Sequence, residues 1–431
     1  MKNFIKKLKS IWWAVKLFVA RIKYGNPSKR LKIIGVTGTN GKTTTVTLLH
    51  GIANRLGHKS GLIGTVEILI GEEKLKLSSN KSIPSTTPDS VFLTKIFAEM
   101  VKKGCEYVFM EVSSHALDQN RVAGINFTGG IFTNLTHDHL DYHKSIENYF
   151  RAKKKFFEML SESAFALSNR DDEYGNAILD DIKAERFLYG FGEETEFLDF
   201  YGKILKMDFT GLELDFNGEK IHSKLLGKFN AYNLLAVWGA CKLLNFDMPA
   251  RNATHSVAGG HKVNKILEYI EPPKGRFDHY MSKNGVLVII DYAHSPDALE
   301  KVLLVVKDIK STSIGRIISV FGCGGDRDPL KRPKMGLIGA KLSDVAIFTS
   351  DNPRSEVPEK IIDQMKGDLS HDETIKVITI PDRRLAIKES VELAKKGDII
   401  LCAGKGHEDY QEIKGVKNHF DDMEEFKKVL Q

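Results

Sequence analysis

Cysteine is scarce in this chain of 431 residues: there are four, Cys105, Cys241, Cys323 and Cys402, and they stand far apart. This spacing excludes the paired cysteines of zinc sites and the dense disulfide framework of small secreted domains. We therefore expect four buried thiols in a reducing cytoplasm. Internal repeats and low-complexity tracts are also absent from the sequence.

Acidic residues are missing from the first 66 positions, which hold 13 lysines and arginines; the first acid is Glu67. The net charge of +7 comes from this region, because the remainder holds 50 basic and 56 acidic residues. A basic nucleic-acid-binding body is therefore excluded, and we expect no nucleic-acid partner. Lysines also interrupt the apolar residues near the N-terminus, so no run of about 18 apolar residues is available to span a membrane.

The length of 431 residues predicts more than one domain, because a single hydrophobic core rarely serves so long a chain. The hydrophobic pattern predicts an α/β protein. From Leu31 onward, β-branched runs such as "KIIGVT", "YVFMEV" and "VLVIID" alternate with helical patterns. This alternation is typical of parallel strands that are covered on both faces. Residues 186–225 alternate as short strands and predict an antiparallel insertion. The linker-like "YIEPPKGRFD" divides the chain, so we expect domains over 31–270 and 271–431 after an N-terminal segment, 1–30.

The segment "VTGTNGKTTT", residues 36–45, has the composition of a phosphate-binding loop between a strand and a helix. Gly38 and Gly41 allow backbone N–H groups to face phosphate oxygens, while Lys42 adds a positive charge and Thr43 a hydroxyl for Mg²⁺. The fit to the P-loop pattern is imperfect, because Val36 stands in place of its first glycine. A glycine-rich turn without function is the alternative.

Nine short motifs then occur in order: T-G-T-N-G-K-T-T, E-V-S-S-H-A-L, T-N-L-T-H-D-H-L-D-Y-H, K-F-N-x-x-N, K-G-R-F-D, D-Y-A-H-S-P-D-A-L, G-C-G-G-D-R-D, D-N-P-R-S-E and A-G-K-G-H-E. Together they resemble the Mur ligase family, most closely its MurE type, over about residues 31–431. The resemblance implies a P-loop-type central domain with a mostly parallel sheet. It also implies a C-terminal α/β domain of the dinucleotide-fold type that binds the amino acid.

The resemblance further implies an ATP-dependent amide ligase. Such an enzyme phosphorylates a substrate carboxylate, and the amino group of an incoming amino acid then displaces the phosphate. The difficulty is electrostatic, because two anions must meet, so positive charge must be fixed at the site beforehand. The residues implied to contact ATP are Gly38, Thr39, Asn40, Gly41, Lys42, Thr43, Thr44, Asn230, Asn233, Arg276, Asp291 and His294.

Two Mg²⁺ ions are implied by the same resemblance. Thr43 and Glu111 would hold one, and Glu111, His139 and Lys153 would hold the other, with Lys153 carbamylated by CO₂. A carbamate replaces a repelling ammonium by the oxygen ligand that Mg²⁺ prefers. The spacing alone favours a basic helix face instead, since three other basic residues lie within two positions of Lys153. The remaining histidines near "HDHLDYH" are expected to orient neighbours or substrate.

The muramoyl-peptide substrate is implied to contact two polar loops, for which helix capping is the alternative role. The residues concerned are Thr86, Thr87, Ser113, His115, Gln119 and Arg121.

The D-N-P-R motif marks family members that add meso-diaminopimelate. A distal carboxylate can be bound in a bidentate manner by Arg354, whereas the distal ammonium of lysine would be repelled. An ordinary ion pair with Glu356 is the alternative role for Arg354, and a lysine-adding enzyme is the alternative activity. The implied amino-acid pocket consists of Arg327, Asp351, Asn352, Arg354, Gly404 and Glu408.

Two other functions compete with this interpretation. A folylpolyglutamate or cyanophycin-type ligase would add glutamate or aspartate, for which D-N-P-R together with G-K-G-H-E has no use. A nucleotide-dependent scaffold without catalysis is disfavoured, because the implied metal and phosphate residues are all present. We expect a monomer that acts in the cytoplasm on soluble ATP.

The N-terminal segment departs from the family pattern. MurE-type enzymes begin with a UDP-binding domain of roughly a hundred residues, but only about 30 residues precede the first predicted strand here, so no UDP-binding residues are carried over. Residues 1–24 instead predict a basic amphipathic helix with one apolar stripe. We interpret it as a peripheral anchor at the inner face of the membrane, which would suit a lipid-linked substrate. The alternative is a helix docked on the ligase body.

Overall fold

The computed structural model of the chain describes residues 18–20, 22–75, 85–192, 195–246, 262–310 and 315–430. These residues form two compact units. The first contains the chain up to Leu205 together with Glu213–Ser223 and Phe229–Ile270, and the second contains Lys206–Leu212, Lys224–Lys228 and the chain from Glu271 onward. The domain bounds 1–30, 31–270 and 271–431 stay a prediction.

The first unit is built on an 11-stranded sheet with the order β11-β10-β9-β8-β7-β6-β1-β5-β2-β3-β4. Its central strands run parallel, and β3 and β4 pair antiparallel at one edge. The strands are β1 (Lys32–Thr37), β2 (Ser60–Ile63), β3 (Ile68–Ile70), β4 (Glu73–Lys74), β5 (Tyr107–Glu111), β6 (Phe127–Phe132), β7 (Phe165–Asn169), β8 (Glu185–Gly190), β9 (Phe200–Asp208), β10 (Gly211–Phe216) and β11 (Glu219–Ser223).

Seven helices accompany this sheet within the described residues. They are α1 (Lys42–Arg55), α2 (Ser90–Lys102), α3 (Ser114–Asp118), α4 (Leu140–His143), α5 (Ile146–Glu158), α6 (Lys228–Leu243) and α7 (Lys262–Tyr269). Residues 18–20 and 22–24 are helical, and the rest of the helix predicted over 1–24 lies outside the described residues.

The antiparallel insertion predicted for 186–225 is wrong for its first strand. Strand β8 pairs in parallel with both β7 and β9, and so it extends the central sheet. Tyr189 of β8 is buried, and its hydroxyl donates to the carbonyl of Phe132 in β6. The residues of β8 do not alternate between buried and exposed; burial instead increases along the strand from Glu185 to Gly190. The alternation that is typical of antiparallel strands therefore does not extend to β8.

Helix α5 lies very close to the sheet, because glycines in β1 and β6 leave room for an aromatic ring. A Cβ atom at Gly35 would lie 2.5 Å from Phe156 Cζ, and one at Gly130 would lie 2.9 Å from Phe156 Cε1. The buried positions of α5 include Tyr149, Lys153 and Phe156, which share one helix face at spacings of four and three. The close packing therefore brings Lys153 to the sheet as well.

The second unit is an α/β domain, as predicted. Its six-stranded sheet has the order β12-β13-β17-β14-β15-β16, with all pairs parallel except β12–β13. An antiparallel hairpin, β18–β19, follows. The strands are β12 (Asp278–Met281), β13 (Leu287–Asp291), β14 (Ile317–Phe321), β15 (Val345–Phe348), β16 (Val377–Thr379), β17 (Ile399–Ala403), β18 (Tyr410–Ile413) and β19 (Val416–His419).

Helices cover both faces of this second sheet, as its apolar strands predict. Two separate apolar cores result: one contains Leu303 and Met335, and the other contains Ile387 and Phe426. The helices are α8 (Pro296–Lys310), α9 (Lys331–Leu342), α10 (Pro358–Met365), α11 (His371–Thr374), α12 (Arg383–Leu393) and α13 (Asp422–Val429).

All four cysteines are free and buried, as expected. In the part of the chain that the structure describes, the helices are too short or too polar to cross a membrane.

A fully buried ion pair fixes the ends of two strands in the second unit. The Arg383 guanidinium donates to both carboxylate oxygens of Asp422 at 2.7 Å, and neither side chain is exposed. The same guanidinium donates to the carbonyls of Ser350 and Ala403, which follow β15 and end β17. The pair therefore supports the loops that carry the D-N-P-R and A-G-K-G-H-E motifs.

Replacing Asp422 by asparagine should lower the free energy of unfolding by about 3–5 kcal/mol, because it leaves the Arg383 charge buried without compensation. Urea-induced unfolding followed by circular dichroism measures this loss. The matched control is Glu392→Gln, which removes an exposed carboxylate in an i,i+4 pair with Lys388 and should change stability by no more than about 0.5 kcal/mol. Equal losses for the two variants would contradict a structural role for the buried pair.

Candidate active site

The phosphate-binding loop lies between β1 and α1, as predicted, and its shape requires glycine. Gly41 caps α1 with φ of 86°, and a Cβ there would collide with the side-chain oxygen of Asn233. Gly38 has φ of 155°, and a Cβ there would collide with Thr133 Oγ1. Both residues therefore hold the loop in a conformation that other residues disfavour. An open helix N-terminus behind such a loop is an arrangement that binds phosphate in proteins.

Neighbouring residues after β6 hold this loop in place. The backbone N–H of Thr39 donates to the Asn134 carbonyl at 2.8 Å, and the N–H of Asn40 donates to Asn134 Oδ1 at 2.9 Å. Lys42 Nζ donates to the carbonyls of Gly38 and Thr39, both at 2.7 Å. The lysine charge is thus fixed over the loop, and Thr44 lies buried behind it on α1.

Glu111 is the buried centre of the first unit's polar residues. Its side chain ends β5, is 1% exposed and accepts from Thr43 Oγ1 at 3.0 Å. Thr65 donates twice more, from its N–H to Oε1 at 2.7 Å and from its Oγ1 to Oε2 at 3.1 Å. The sequence prediction missed Thr65, although it follows β2, the neighbour of β5, so its position at the same sheet edge could have been inferred.

These oxygen atoms suit the implied cation. Carboxylate and hydroxyl oxygens are the hard donors that Mg²⁺ prefers, and Thr43 and Glu111 already bring one of each within 3.0 Å. Because Thr43 lies in the first turn of α1, the same cation would face the phosphates bound at the loop. The residues present therefore fit both ATP and its magnesium.

Lys153 is buried rather than part of a basic helix face. It is 1% exposed, and its Nζ donates to the Gly38 carbonyl at 2.8 Å and lies 4.4 Å from the ring centre of Tyr149. Burial, and to a smaller extent the charge of Lys42, lowers the pKa of Lys153 well below its ordinary value. Such a shift favours the neutral amine, which is the form that reacts with CO₂.

His139 lies in a cluster of rings next to this lysine's helix. Its ring centre is 5.0 Å from that of His115 and 6.2 Å from that of Tyr149, and its side chain is half exposed. Among the described residues, no hydrogen bond or ion pair joins His139 to Glu111 or Lys153, and no group of three His, Cys, Asp or Glu side chains is arranged to hold a metal. Another ring of this cluster, His143, forms a hydrogen bond between its Nε2 and Ser114 Oγ at 2.9 Å.

The two predicted substrate loops meet at the carbonyl end of β5. Thr87 Oγ1 donates to the Glu111 carbonyl at 2.8 Å and accepts from the Ser113 N–H at 3.0 Å. Arg121 donates to the carbonyl of Thr87 at 2.9 Å and to Gln119 Oε1 at 2.6 Å.

Other contacts of these loops are partly structural. Ser113 caps α3 by accepting from the Ala116 N–H at 3.3 Å, which is the alternative role considered for this loop. Thr86 Oγ1 lies within hydrogen-bond distance of Thr65 Oγ1, at 3.0 Å, so it connects to the Glu111 network.

Helix α6 brings two asparagines to the phosphate-binding loop. Asn233 Nδ2 donates to Asn230 Oδ1 at 3.0 Å, and both side chains are buried. Since Asn233 Oδ1 occupies the space beside Gly41, this pair borders the predicted nucleotide site.

In the second unit, the predicted nucleotide residues cluster around Tyr292. The Arg276 guanidinium lies 5.0 Å from the Tyr292 ring centre, and its buried Nε has no hydrogen-bond partner among the residues that the structure describes. The Asp291 carboxylate accepts from the N–H groups of Phe277 and Ala293, at 2.8 and 2.9 Å. Burial raises the pKa of Asp291. The His294 ring centre lies 4.6 Å from that of Tyr292, with the two ring planes tilted by 58°.

The loops "KGRFD" and "AGKGHE" touch backbone to backbone. Gly275 and Gly406 have φ of 65° and 52°, and a Cβ at Gly275 would collide with the backbone of Gly406. A Cβ at Gly406 would lie 2.7 Å from Tyr292 Cβ. Glycine is therefore required at both positions to let the loops approach.

The amino-acid pocket implied by sequence contains a buried cation that the prediction missed. Lys405 is fully buried, and its Nζ lies 3.2 Å from Asn352 Oδ1, 3.7 Å from Asp351 Oδ1 and 3.8 Å from Glu408 Oε2. Asn352 Nδ2 also donates to Glu408 Oε2 at 2.8 Å. Burial raises the pKa of Glu408 and lowers that of Lys405. Gly404, with φ of 114°, places its backbone beside Asp351.

Arg354 does not pair with Glu356, so that alternative is wrong. The Glu356 carboxylate pairs with Arg332 at 2.8 Å, which lowers the pKa of Glu356 to about 2. Arg354 instead donates from Nη1 to the Gly325 carbonyl at 2.7 Å and lies 3.6 Å from Glu412. Arg327 is exposed and borders the same glycine turn as Arg354, because a Cβ at Gly324 would contact both side chains.

Comparisons with known proteins agree with this arrangement. The family model of the Mur ligase middle domain matches residues 36–241, and that of the Mur ligase, glutamate ligase domain matches residues 275–406. A relative from Parabacteroides distasonis, named UDP-N-acetylmuramoyl-L-alanyl-D-glutamate–2,6-diaminopimelate ligase, is 48% identical over 97% of this chain and 81% of its own length. A relative of the same name from Cytophaga hutchinsonii is 46% identical, over 94% of this chain and 79% of its own.

Solved structures of related proteins share the fold of this chain. A diaminopimelate ligase of that name is 33% identical and superposes with a TM-score of 0.65, covering 93% of this chain and 78% of its own. Folylpolyglutamate synthase from Thermotoga maritima has a TM-score of 0.66 at 15% identity, covering 94% of both chains, and so shares the fold alone. The motifs, the two α/β units and these matches together show that the chain belongs to the Mur ligase family.

Proposed function

We propose that this protein is an ATP-dependent ligase that adds meso-diaminopimelate to a muramoyl-L-alanyl-D-glutamate substrate in peptidoglycan precursor synthesis. The observation that carries the proposal is the 45–48% identity, over almost the whole chain, to relatives named for this reaction. The position of Arg354 supports the choice of amino acid, because its guanidinium is not used by Glu356. A lysine-adding enzyme would not need the guanidinium of Arg354, because lysine has no distal carboxylate.

The reaction has two steps. The substrate carboxylate attacks the γ-phosphorus of ATP and ADP leaves; the amine of the amino acid then attacks the acyl phosphate and inorganic phosphate leaves. Lys42, fixed over the phosphate-binding loop, supplies positive charge where the two anions meet. Mg²⁺ held by Thr43 and Glu111 would supply further charge at the phosphates.

The first unit's loops would hold the muramoyl peptide. Arg121 can bind a carboxylate of the peptide, and Thr86, Ser113, His115 and Gln119 lie within the same connected polar surface. In the second unit, Arg276 would bind phosphate, with Asp291 and His294 beside it. We place this reaction in the cytoplasm, where ATP is available.

The amino-acid preference is tested by phosphate release. The wild-type protein, given ATP and muramoyl dipeptide, should release phosphate with meso-diaminopimelate in preference to lysine. Arg354→Asn should lower kcat/KM for meso-diaminopimelate by about ten- to a hundredfold, the effect of losing hydrogen bonds to a charged group. Asparagine is chosen because Arg354 has φ of 51°, which asparagine tolerates. A wild-type preference for lysine would overturn the assignment.

Lys153 is the proposed site of carbamylation and the proposed ligand, with Glu111 and His139, of a second Mg²⁺. Its buried amine beside the Gly38 carbonyl supports the modification. Lys153→Ala should reduce turnover by at least about a hundredfold, as expected for a lost electrostatic group, and a short carboxylic acid should restore part of it. The intact protein should carry the additional mass of one CO₂. Lys155→Ala, on the exposed face of α5, is the control and should keep wild-type turnover. Full activity of Lys153→Ala without added acid would contradict the carbamylation of Lys153.

Residues 1–24 are proposed to bind the surface of an anionic membrane. Phe18, Val19 and Ile22 are 64%, 56% and 68% exposed, and the segment carries seven basic residues and no acidic one. Such a pattern suits the headgroup region of anionic lipid. The acceptor would then be a lipid-linked muramoyl peptide. We consider the UDP-linked substrate, which the relatives' names state, the alternative.

Sedimentation with anionic liposomes tests the membrane proposal. The full-length protein should sediment at low salt, and deletion of residues 1–24 or the double substitution Phe18→Asp/Ile22→Asp should abolish this. The lipid-linked substrate should also be used better than the UDP-linked form. If the full-length protein stays in the supernatant and turns over the UDP-linked peptide efficiently, the segment has a structural role instead.

A further inference from the structure

Lys274 and Asp421 form an ion pair that links the K-G-R-F-D loop to the C-terminal helix α13. Lys274 Nζ lies 2.5 Å from Asp421 Oδ2. The carboxylate side chain is 4% exposed, whereas the lysine side chain is half exposed. The reaction steps given above use neither side chain. Lys274 stands two positions before Arg276, the residue proposed to bind phosphate.

The carboxylate of Asp421 is held in place at the start of α13. Its Oδ1 accepts from the Glu424 N–H at 3.1 Å, so the side chain caps the helix while Oδ2 faces the lysine. Burial disfavours the charged form, but the hydrogen bonds from Lys274 and from the capping N–H outweigh it and lower the pKa of Asp421. Because one partner is buried and fixed, this pair differs from an exposed ion pair whose two side chains are both mobile.

The K-G-R-F-D loop is also held on the other side of Arg276. The Phe277 N–H donates to Asp291 Oδ2 at 2.8 Å, and the Arg276 N–H donates to the Pro273 carbonyl at 3.0 Å. Phe277 has φ of 52°, a conformation that a bulky residue keeps only where its surroundings fix it. Arg276 therefore lies in a tight turn that is held by two carboxylates, Asp421 before it and Asp291 after it.

The start of α13 supports several loops at once. Through Arg383, which pairs with Asp422, it holds the loops that carry the D-N-P-R and A-G-K-G-H-E motifs. Through Asp421, it holds the K-G-R-F-D loop. The helix is anchored in an apolar core by Phe426, which is fully buried. Removing the charge of Asp421 would therefore release one end of the Arg276 turn and leave the other two loops supported.

We propose that Asp421 is a positioning residue, which holds Lys274 and thereby sets the Arg276 guanidinium for binding the phosphates of ATP. This inference rests on the proposed function and extends it, because it gives the C-terminal helix a task in nucleotide binding. A charged group contributes most when its geometry is fixed before the ligand arrives. With the ion pair broken, ATP would have to order the turn on binding, which costs conformational entropy.

Asp421→Asn tests this role, because asparagine caps a helix about as well as aspartate but carries no charge. The Kd of the non-hydrolysable ATP analogue AMPPNP, measured with MgCl₂ by isothermal titration calorimetry on the full-length protein, should rise about tenfold. The KM for ATP in phosphate release should rise by a similar factor, whereas the KM for meso-diaminopimelate should not change. A merely structural role would lower the fraction of active protein, and hence kcat, without changing the Kd or either KM.

Variants of Lys274 provide the rescue and the coupling measurement. Lys274→Arg keeps the ion pair and should keep the wild-type Kd, whereas Lys274→Gln should raise the Kd as Asp421→Asn does. The two losses should not add in the double variant, since both remove the same contact. Asp382→Asn is the matched control, because it makes the same change at the exposed N-cap of α12 in the same unit. Its Kd should equal that of wild type.

Two results would overturn the role of Asp421 and leave the proposed function standing, provided that wild type releases phosphate with meso-diaminopimelate. One is an unchanged Kd in Asp421→Asn. The other is a Kd that rises in Asp421→Asn but not in Lys274→Gln, because the carboxylate would then act without the lysine. A wild-type protein that binds AMPPNP but releases no phosphate with meso-diaminopimelate or lysine overturns the proposed function itself.

Discussion

The candidate site of the first unit depends on the hydrogen bonds that the buried carboxylate of Glu111 accepts. A buried carboxylate is unfavourable unless it is hydrogen-bonded, and here the donors come from residues far apart in sequence, Thr43 and Thr65. The backbone carbonyl of Glu111 accepts from Thr87 in turn. Because β5 lies between β1 and β2, the ends of three adjacent segments converge on this side chain. The predicted phosphate-binding loop and the predicted substrate loops are thereby all connected to Glu111.

Local sequence predicted much of this arrangement. The predicted phosphate-binding loop and the α/β class of both units follow from short motifs and strand patterns, which need no knowledge of distant partners, and Glu111 was implied by the family resemblance. Thr65 was missed because its role exists only through a partner 46 residues away. Lys405 was missed for a similar reason: its charge is buried among Asp351 and Glu408, and burial of a lysine is rare enough that sequence gives no reason to expect it.

The burial of Lys153 was difficult to predict, because basic residues surround it in the sequence. Its spacing from Tyr149 and Phe156 places it on the buried face of α5, but the basic residues around it suggest an exposed face. Strand β8 shows a different problem, since it was grouped with the strands that follow it although its own residues do not alternate between buried and exposed, and it pairs in parallel with both neighbours. The buried face of α5 and the pairing partners of β8 therefore both had to come from the structure.

The contact between Gly275 and Gly406 has a consequence for how this enzyme can change during evolution. The loop of Gly275 carries Arg276, proposed to bind phosphate, and the loop of Gly406 carries Glu408, proposed to bind the amino acid. Since their backbones touch with no space for a side chain, a shift of one loop must displace the other. Substitutions that reshape the amino-acid pocket through this loop would therefore disturb nucleotide binding too. A change of amino-acid preference is more accessible through residues outside the contact, such as Arg354.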